Sequence, residues 1–202
     1  KDKKELGKGQ SGIDLLTFRQ IYFLENGNVL LIGERELSMW YSSGNSASTY
    51  GHKRDDIILI CINASNQEVW KKKIRKMQVG EGIDPFISYL PVNLGNKVLI
   101  LFNDRKENLN LSKELPLERY RSNGFGAAKD KNVINRLFTV SLDGNLTEES
   151  FQPDNADLNV IAIEWSKQVN GNQVFMLQSG KKNLAVITFK DASSKPDLIN
   201  GY

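Results

Sequence analysis

The sequence predicts an all-β chain of three successive four-stranded antiparallel meanders, and three observations carry that reading. The first is a repeat. The stretches 21–32, 94–101 and 170–177 share one pattern, an extended run, a Gly-Asn turn at Gly27-Asn28, Gly95-Asn96 or Gly171-Asn172, and a short apolar run. The second is the character of those runs. Val29-Leu30-Leu31-Ile32, Val98-Leu99-Ile100-Leu101 and Val174-Phe175-Met176-Leu177 are apolar at consecutive positions rather than alternating, the mark of a strand buried on both faces. The third is a second hairpin-like stretch after each repeat, beyond a loop of variable length.

The elements follow in order. Gly and Asn tolerate the positive φ that tight hairpin turns require, so each Gly-Asn pair links the first two strands of its meander. In the first meander the third strand is 57–62, the turn is Asn63-Ala64-Ser65-Asn66, and the fourth strand opens at Glu68-Val69-Trp70. In the second, 137–142 leads through Asp143-Gly144-Asn145 into Leu146-Thr147-Glu148. In the third, 184–189 is the last clear strand. The meanders fall at about 14–78, 84–152 and 157–192 within a single region covering 1–202, with insertions at 41–54 and 104–136. The five prolines lie between or at the starts of the runs, as strands require. Only 109–120 offers a weak helical pattern.

Four-stranded meanders in series, each buried on both faces, match the blades of a β-propeller. The segment Ile60-x-Ile62-Asn63-Ala64-Ser65-Asn66-Gln67-Glu68-Val69-Trp70 resembles the strand–turn–strand–Trp unit of quinoprotein-like, tryptophan-docking propellers, which implies that Trp70 packs against the neighbouring blade. Asp55-Asp56-Ile57-Ile58, followed by Trp70, Ile74, Lys76 and Gln78, is similar to uncharacterised cell-envelope propeller proteins of the Bacteroidota type. The second meander has Glu148 near the place of the docking indole. Three blades do not close a ring of the usual 4–8. The expectation is therefore the C-terminal part of a larger propeller, and a chain that opens Lys1-Asp2-Lys3-Lys4 without methionine agrees with it.

Composition removes many chemistries. The 202 residues carry 27 Lys and Arg against 24 Asp and Glu, a net charge of +3, and 40% are hydrophobic, the profile of an ordinary globular chain. No apolar run approaches the ~20 residues that span a bilayer. A lone cysteine, Cys61, excludes an internal disulfide and a multi-cysteine zinc cluster, and it sits in an apolar strand, where it acts as a small hydrophobe. A lone histidine, His52, lies in a polar loop with no Ser or Cys motif beside it. Ser141-x-Asp143-x-Asn145-x-Thr147 resembles an Asp-box turn of sialidase-like propellers, which is a structural turn and lacks the closing aromatic here. No D-x-D-x-D-G spacing points to calcium. No cofactor or metal is expected.

Three surface segments draw attention. Lys71-Lys72-Lys73-Ile74-Arg75-Lys76 falls on the fourth strand of a meander, where lysines defend a sheet edge against strand addition. Without interleaved aromatics it gives no nucleic-acid site. The loop 41–52 is rich in Ser and Gly and flanked by Trp40, Tyr41 and Tyr50, which anchor it or bind a sugar. Residues 105–136 hold eight Lys or Arg against four Asp or Glu, and Arg119, Tyr120, Arg121, Phe125, Lys129 and Lys131 make this the candidate partner-binding loop. It reads equally as a tolerated insertion.

These features point to a non-catalytic protein-interaction or ligand-binding module, a subunit of a larger assembly, and the resemblance implies that it belongs to the bacterial cell envelope. The expected location is periplasmic, outer-membrane-associated or secreted. Its partners are an envelope protein and further blades of its own chain, with no nucleic acid and no transmembrane segment. The alternative is a propeller enzyme, a quinoprotein-like dehydrogenase or a glycan-active hydrolase, with active-site residues in blades outside this chain. Glu34, Asp104 and Arg105, at the ends of second strands, are the stray candidates on which that alternative draws.

Overall fold

Tight turns set the registers of this all-β chain. Gly27 and Gly95 take φ of 80° and 82°, a left-handed conformation that a Cβ resists. The Leu24 N–H donates to the Asn28 carbonyl across the first turn, and the Leu94 N–H to that of Lys97 across the second, each at 2.9 Å. These turns join β1 (Leu16–Phe23) to β2 (Val29–Tyr41), and β6 (Leu90–Asn93) to β7 (Lys97–Arg105). Gly171, at φ 48°, lies between β11 (Lys167–Gln168) and β12 (Gln173–Leu177). All three glycines, Gly27, Gly95 and Gly171, therefore sit between the first two strands of a sheet.

The computed structural model describes residues 15–41, 49–82, 84–122, 132–151, 160–169, 171, 173–177, 184–189 and 197–200. Among them the only helical turns are two 3₁₀ turns, Lys106–Asn108 and Ile163–Trp165. The first sheet runs β1-β2-β3, where β3 (Thr49–Ile62) carries two partners on its far side. β4 (Glu68–Ile74) pairs with its second half and β5 (Gln78–Glu81) with its first. A short β8 (Tyr120–Arg121) adds in parallel to β5. The second sheet is β6-β7-β9-β10, with β9 (Val133–Ser141) and β10 (Leu146–Phe151). The third is the meander β11-β12-β13-β14, with β13 (Leu184–Thr188) and β14 (Asp197–Asn200).

The second sheet lies between the other two. Val98, Ile100, Phe102, Phe138 and Val140 pack on Leu30, Ile32, Ile57, Leu59 and Cys61 of the first sheet. Leu99, Leu101 and Leu137 point the other way, into a core with Ile161, Ile163, Val174 and Phe189. Successive side chains of a strand face opposite sides, so the unbroken apolar run of β7 fills both cores at once. Each covered aliphatic side chain contributes about 1.5–3 kcal/mol.

Two insertions differ from the sequence expectation. The stretch 41–54 is not a loop throughout, since β2 and β3 continue their pairing as far as Tyr41 opposite Thr49. Trp40 and Tyr50 are cross-strand partners whose rings stand 5.0 Å apart, and such aromatic pairs stabilise a ribbon beyond the core. The 104–136 insertion is strand at both ends and reaches the first sheet through β8. The 109–120 stretch is not α-helical. The Asn108 carboxamide exchanges hydrogen bonds with the backbone of Glu118 at 2.8 and 2.7 Å, and Arg75 donates to the carbonyls of Ser112 and Leu115. Pro116 lacks the N–H that a helix there needs.

Candidate functional site

The first strands of the three sheets, β1, β6 and β11, border a cavity of about 640 Å³. Its wall includes Arg19 and Tyr22 from β1, Ser88 to Pro91 at the start of β6, and Glu164, Ser166, Lys167 and Gln168 around β11. Among the described residues, the edges of these strands turned away from β2, β7 and β12 carry no further strand. Side chains tie them instead. Gln168 accepts from the Asn93 N–H at 2.9 Å and donates to the Asn93 carbonyl at 2.6 Å, as a neighbouring strand does. The Tyr22 hydroxyl donates to the Pro91 carbonyl at 3.4 Å, and burial pushes its phenol up to about 12.

An ion cluster closes one end of the cavity. Arg54 reaches Glu34 and Glu36 at 3.2 Å and Glu164 at 3.0 Å. Arg19 reaches Glu36 at 2.8 Å, Glu34 at 3.5 Å and Glu164 at 3.8 Å. Three strands of the first sheet, β1, β2 and β3, and the 3₁₀ turn before β11 are thereby joined by charge. Burial pushes the Glu164 carboxyl up, against the pull of Arg19. His52 stands beside the cluster, its Nδ1 3.1 Å from the Ser38 hydroxyl and 3.6 Å from Glu36.

Behind this cluster the charges are fully buried. Lys76, 1% exposed, donates to Glu34, 0% exposed, and at 2.9 Å to Gln78. Ser88 donates to Glu34 at 2.8 Å, and the Ser88 N–H to Gln78 at 2.6 Å. Gln78 in turn donates to the Asn103 carbonyl at 2.7 Å. Burial holds the Lys76 ammonium below the ordinary lysine range, while Glu34 opposes that shift. This chain of contacts bolts the first sheet to the second.

The stray candidates separate in the structure. Glu34 is the hub just described. Asp104 faces Arg136 at 2.7 Å and accepts from Asn108 at 2.7 Å, and burial pushes its carboxyl up despite that arginine. Arg136 stacks its guanidinium 5.0 Å from the Phe138 ring and also pairs with Glu148 at 2.8 Å. Arg105 lies at the surface beside Glu107, 3.2 Å away. Cys61 is buried, and burial raises its thiol.

The basic run takes the edge strand β4, with Lys71 and Lys73 exposed. Lys76, expected with them, turns inward to Glu34 instead, because a buried carboxylate needs a cation within reach. In the candidate loop, Arg119 and Arg121 are exposed. Tyr120 is a correction. It is 0% exposed and packs with Phe86, Val133 and Val160, so it anchors the loop and offers no surface. Phe125, Lys129 and Lys131 lie outside the described residues. Trp70 is half-buried, packs against the core between the first two sheets, and donates from its indole N–H to the Leu142 carbonyl at 3.1 Å.

Sequence reasoning missed Arg19, Arg54, Glu164, Lys167 and Gln168. Their only sequence signal is a polar residue beside an apolar run, which surface positions share. Among the described residues no group of three or more His, Cys, Asp or Glu is placed to hold a metal ion, and no helix is long and apolar enough to cross a membrane. Comparison with protein-family models, with curated proteins and with solved structures finds no match to this chain.

Proposed function

We propose that this chain is a non-catalytic binding module, a propeller-like stack of blades that forms part of a larger ring and binds its ligand along β1, β6 and β11. The cavity at those strands carries the reading. It is concave and large enough for a small ligand or a peptide segment, and its walls come from all three sheets. Three of its polar groups, Ser88, Ser166 and Arg19, are held in structural bonds. Ser88 serves Glu34, Ser166 donates to the Ala162 carbonyl at 2.8 Å, and Arg19 is matched by carboxylates. Such a wall recognises by shape and hydrogen bonding rather than by an activated nucleophile. The contact of Trp70 with the 141–145 turn supports the blade reading. The resemblance of the 55–78 stretch to envelope propellers supports a place in the bacterial envelope, in a complex with an envelope protein.

Site-specific photo-crosslinking in envelope-bearing cells tests the proposal. A photoreactive residue at Gln20 or Lys167 is expected to capture one discrete partner or ligand, and one at Lys113 none. Equal capture from all three positions rejects the cavity as the binding site.

A further inference from the structure

Where β2 and β3 run on past the core of the first sheet, one face of their ribbon carries three cross-strand pairs. Glu36 stands opposite Arg54, Ser38 opposite His52, and Trp40 opposite Tyr50. They continue the side of β2 that bears Leu30, Ile32 and Glu34, because alternate residues of a strand share a face. Charge thus gives way to hydroxyl and imidazole, and these to two aromatic rings. β5 backs the same stretch, with Gly80 opposite His52 and Glu81 opposite Gly51, so the platform is three strands wide there.

The aromatic end is open. Trp40 is 70% exposed although its ring lies 5.0 Å from that of Tyr50, tilted at 58°. Tyr50 in turn meets the His52 ring edge-on at 4.9 Å. A pair that served the ribbon alone would gain most by covering the larger ring. Here the contact with Tyr50 holds the indole in place and leaves most of its surface to solvent.

Beside the rings lies a polar strip with hydrogen-bonding capacity to spare. The Nδ1 of His52 faces Ser38 and Glu36, and its Nε2 has no partner among the described residues. Glu36 meets Arg19 through Oε2 and Arg54 through Oε1, so each oxygen keeps a lone pair. Asp84 closes the far side, its Oδ2 lying over Gly80, where an added Cβ would stand 2.5 Å away. The charges next to the strip cancel. Arg19, Arg54 and Lys76 are matched by Glu34, Glu36 and Glu164.

Matched charge, mixed donors and acceptors, and an open aromatic face together suit one ligand chemistry. One side of a sugar ring carries C–H groups, which lie against the electron-rich face of an indole, and its rim carries hydroxyls that both donate and accept. A nucleic acid would need cations for its phosphates, and a charged peptide an unmatched counter-charge. We infer that the ribbon face formed by Glu36, Ser38, Trp40, Tyr50, His52 and Arg54 binds an uncharged sugar residue of a glycan, stacked on Trp40 with its hydroxyls toward His52, Ser38 and Glu36. This site is separate from the cavity and depends on neither the blade reading nor the place in the envelope.

Nuclear magnetic resonance of the indole N–H groups of the full chain tests it, since Trp40, Trp70 and Trp165 each give one signal. The probes are cellohexaose, mannohexaose, xylohexaose and chitohexaose, each at millimolar concentration. At least one is expected to shift the Trp40 signal while those of Trp70 and Trp165 stay. By calorimetry, Trp40→Ala and Tyr50→Ala are expected to weaken that binding about tenfold. Trp40→Phe, which keeps a ring, is expected to retain most of it, and its missing signal assigns Trp40. Phe23→Ala, at an 81% exposed position by the opposite end of β2, is expected to bind as the wild type does. The signal shift is read on the wild type, so it decides whatever the stability of the variants. A Trp40 signal that none of the four sugars moves overturns the site, and so does binding that Trp40→Ala and Tyr50→Ala leave intact. A protein captured through this face in place of any sugar overturns the sugar reading as well.

Discussion

The indole of Trp70 lies on the backbone of Gly144. A Cβ added at Gly144 would stand 2.7 Å from the ring, while the indole N–H donates to the Leu142 carbonyl two residues earlier. The pair joins the outer strand of the first sheet to the β9–β10 turn of the second. Gly144 also holds φ 81°, so two independent constraints require glycine there.

Trp70→Ala is expected to cost about 3 kcal/mol, at the low end for a large aromatic because the ring is half-buried. Lys72→Ala, two residues along the same strand, is expected within about 0.5 kcal/mol of wild type. Gly144→Ala is expected to cost about 2–4 kcal/mol, from the left-handed backbone and the ring contact together. In the Trp70→Ala background it falls to the backbone share of about 1–2 kcal/mol. Urea unfolding of the four chains gives the coupling, and strict additivity would remove the contact from the account.

Lys76→Met leaves Glu34 buried without its closest cation, and a loss of about 3–5 kcal/mol is expected. Adding Glu34→Gln to that variant is expected to recover part of the loss, since a neutral carboxamide needs no counter-charge. Equilibrium denaturation of the two single variants and the double variant decides it. A double variant as unstable as the sum of the singles would mean that the two groups act separately.

Asp84 sets an unusual pH response. It accepts from the Phe86 N–H and from Ser122, each at 3.0 Å, yet burial outweighs these bonds and pushes its carboxyl above the ordinary 3.8. An acid whose folded value is raised binds more protons folded than unfolded. Its share of stability is therefore gained as the pH falls through the folded value and absent at higher pH. Asp84→Asn is expected to match or exceed wild type at pH 7, with that advantage shrinking toward pH 4. Urea midpoints of both chains across that range test the sign, and an advantage that grows on acidification contradicts it.

Tyr120 makes the surface loop part of the core. Tyr120→Ala is expected to cost about 3–5 kcal/mol, whereas Arg119→Ala and Arg121→Ala, both exposed, are expected within about 0.5 kcal/mol of wild type. Deleting 110–131 removes Tyr120 and the strand it forms on β5, so the thermal transition is expected to fall as far as for Tyr120→Ala or further. A deletion that melts like wild type would show the loop to be a free appendage.

Strand positions were legible because they depend on local order. A Gly-Asn pair fixes a tight turn wherever it stands, and a strand apolar at every position, as at 98–101, is stable only between two layers, where the structure places it. The place of Trp70 came from the resemblance of the 60–70 stretch to a tryptophan-docking unit, which implies that the indole meets the neighbouring sheet, as it does at the Leu142 carbonyl. The ion cluster was not legible. Glu34, Arg54, Lys76 and Glu164 are spread over 131 positions of sequence numbering, and each by itself reads as an ordinary charged residue beside a strand. Only the stacking of sheets brings them together, and only removal from water makes their pairing obligatory. Tyr120 is the same case in reverse. In a basic, proline-bearing stretch it reads as a surface aromatic, and the parallel addition of β8 to β5 takes it inside. The sequence by itself determined which stretches are strands and which faces seek cover. The tertiary structure decided which charges meet and which aromatic is hidden, because those outcomes depend on long-range contacts that no local pattern encodes.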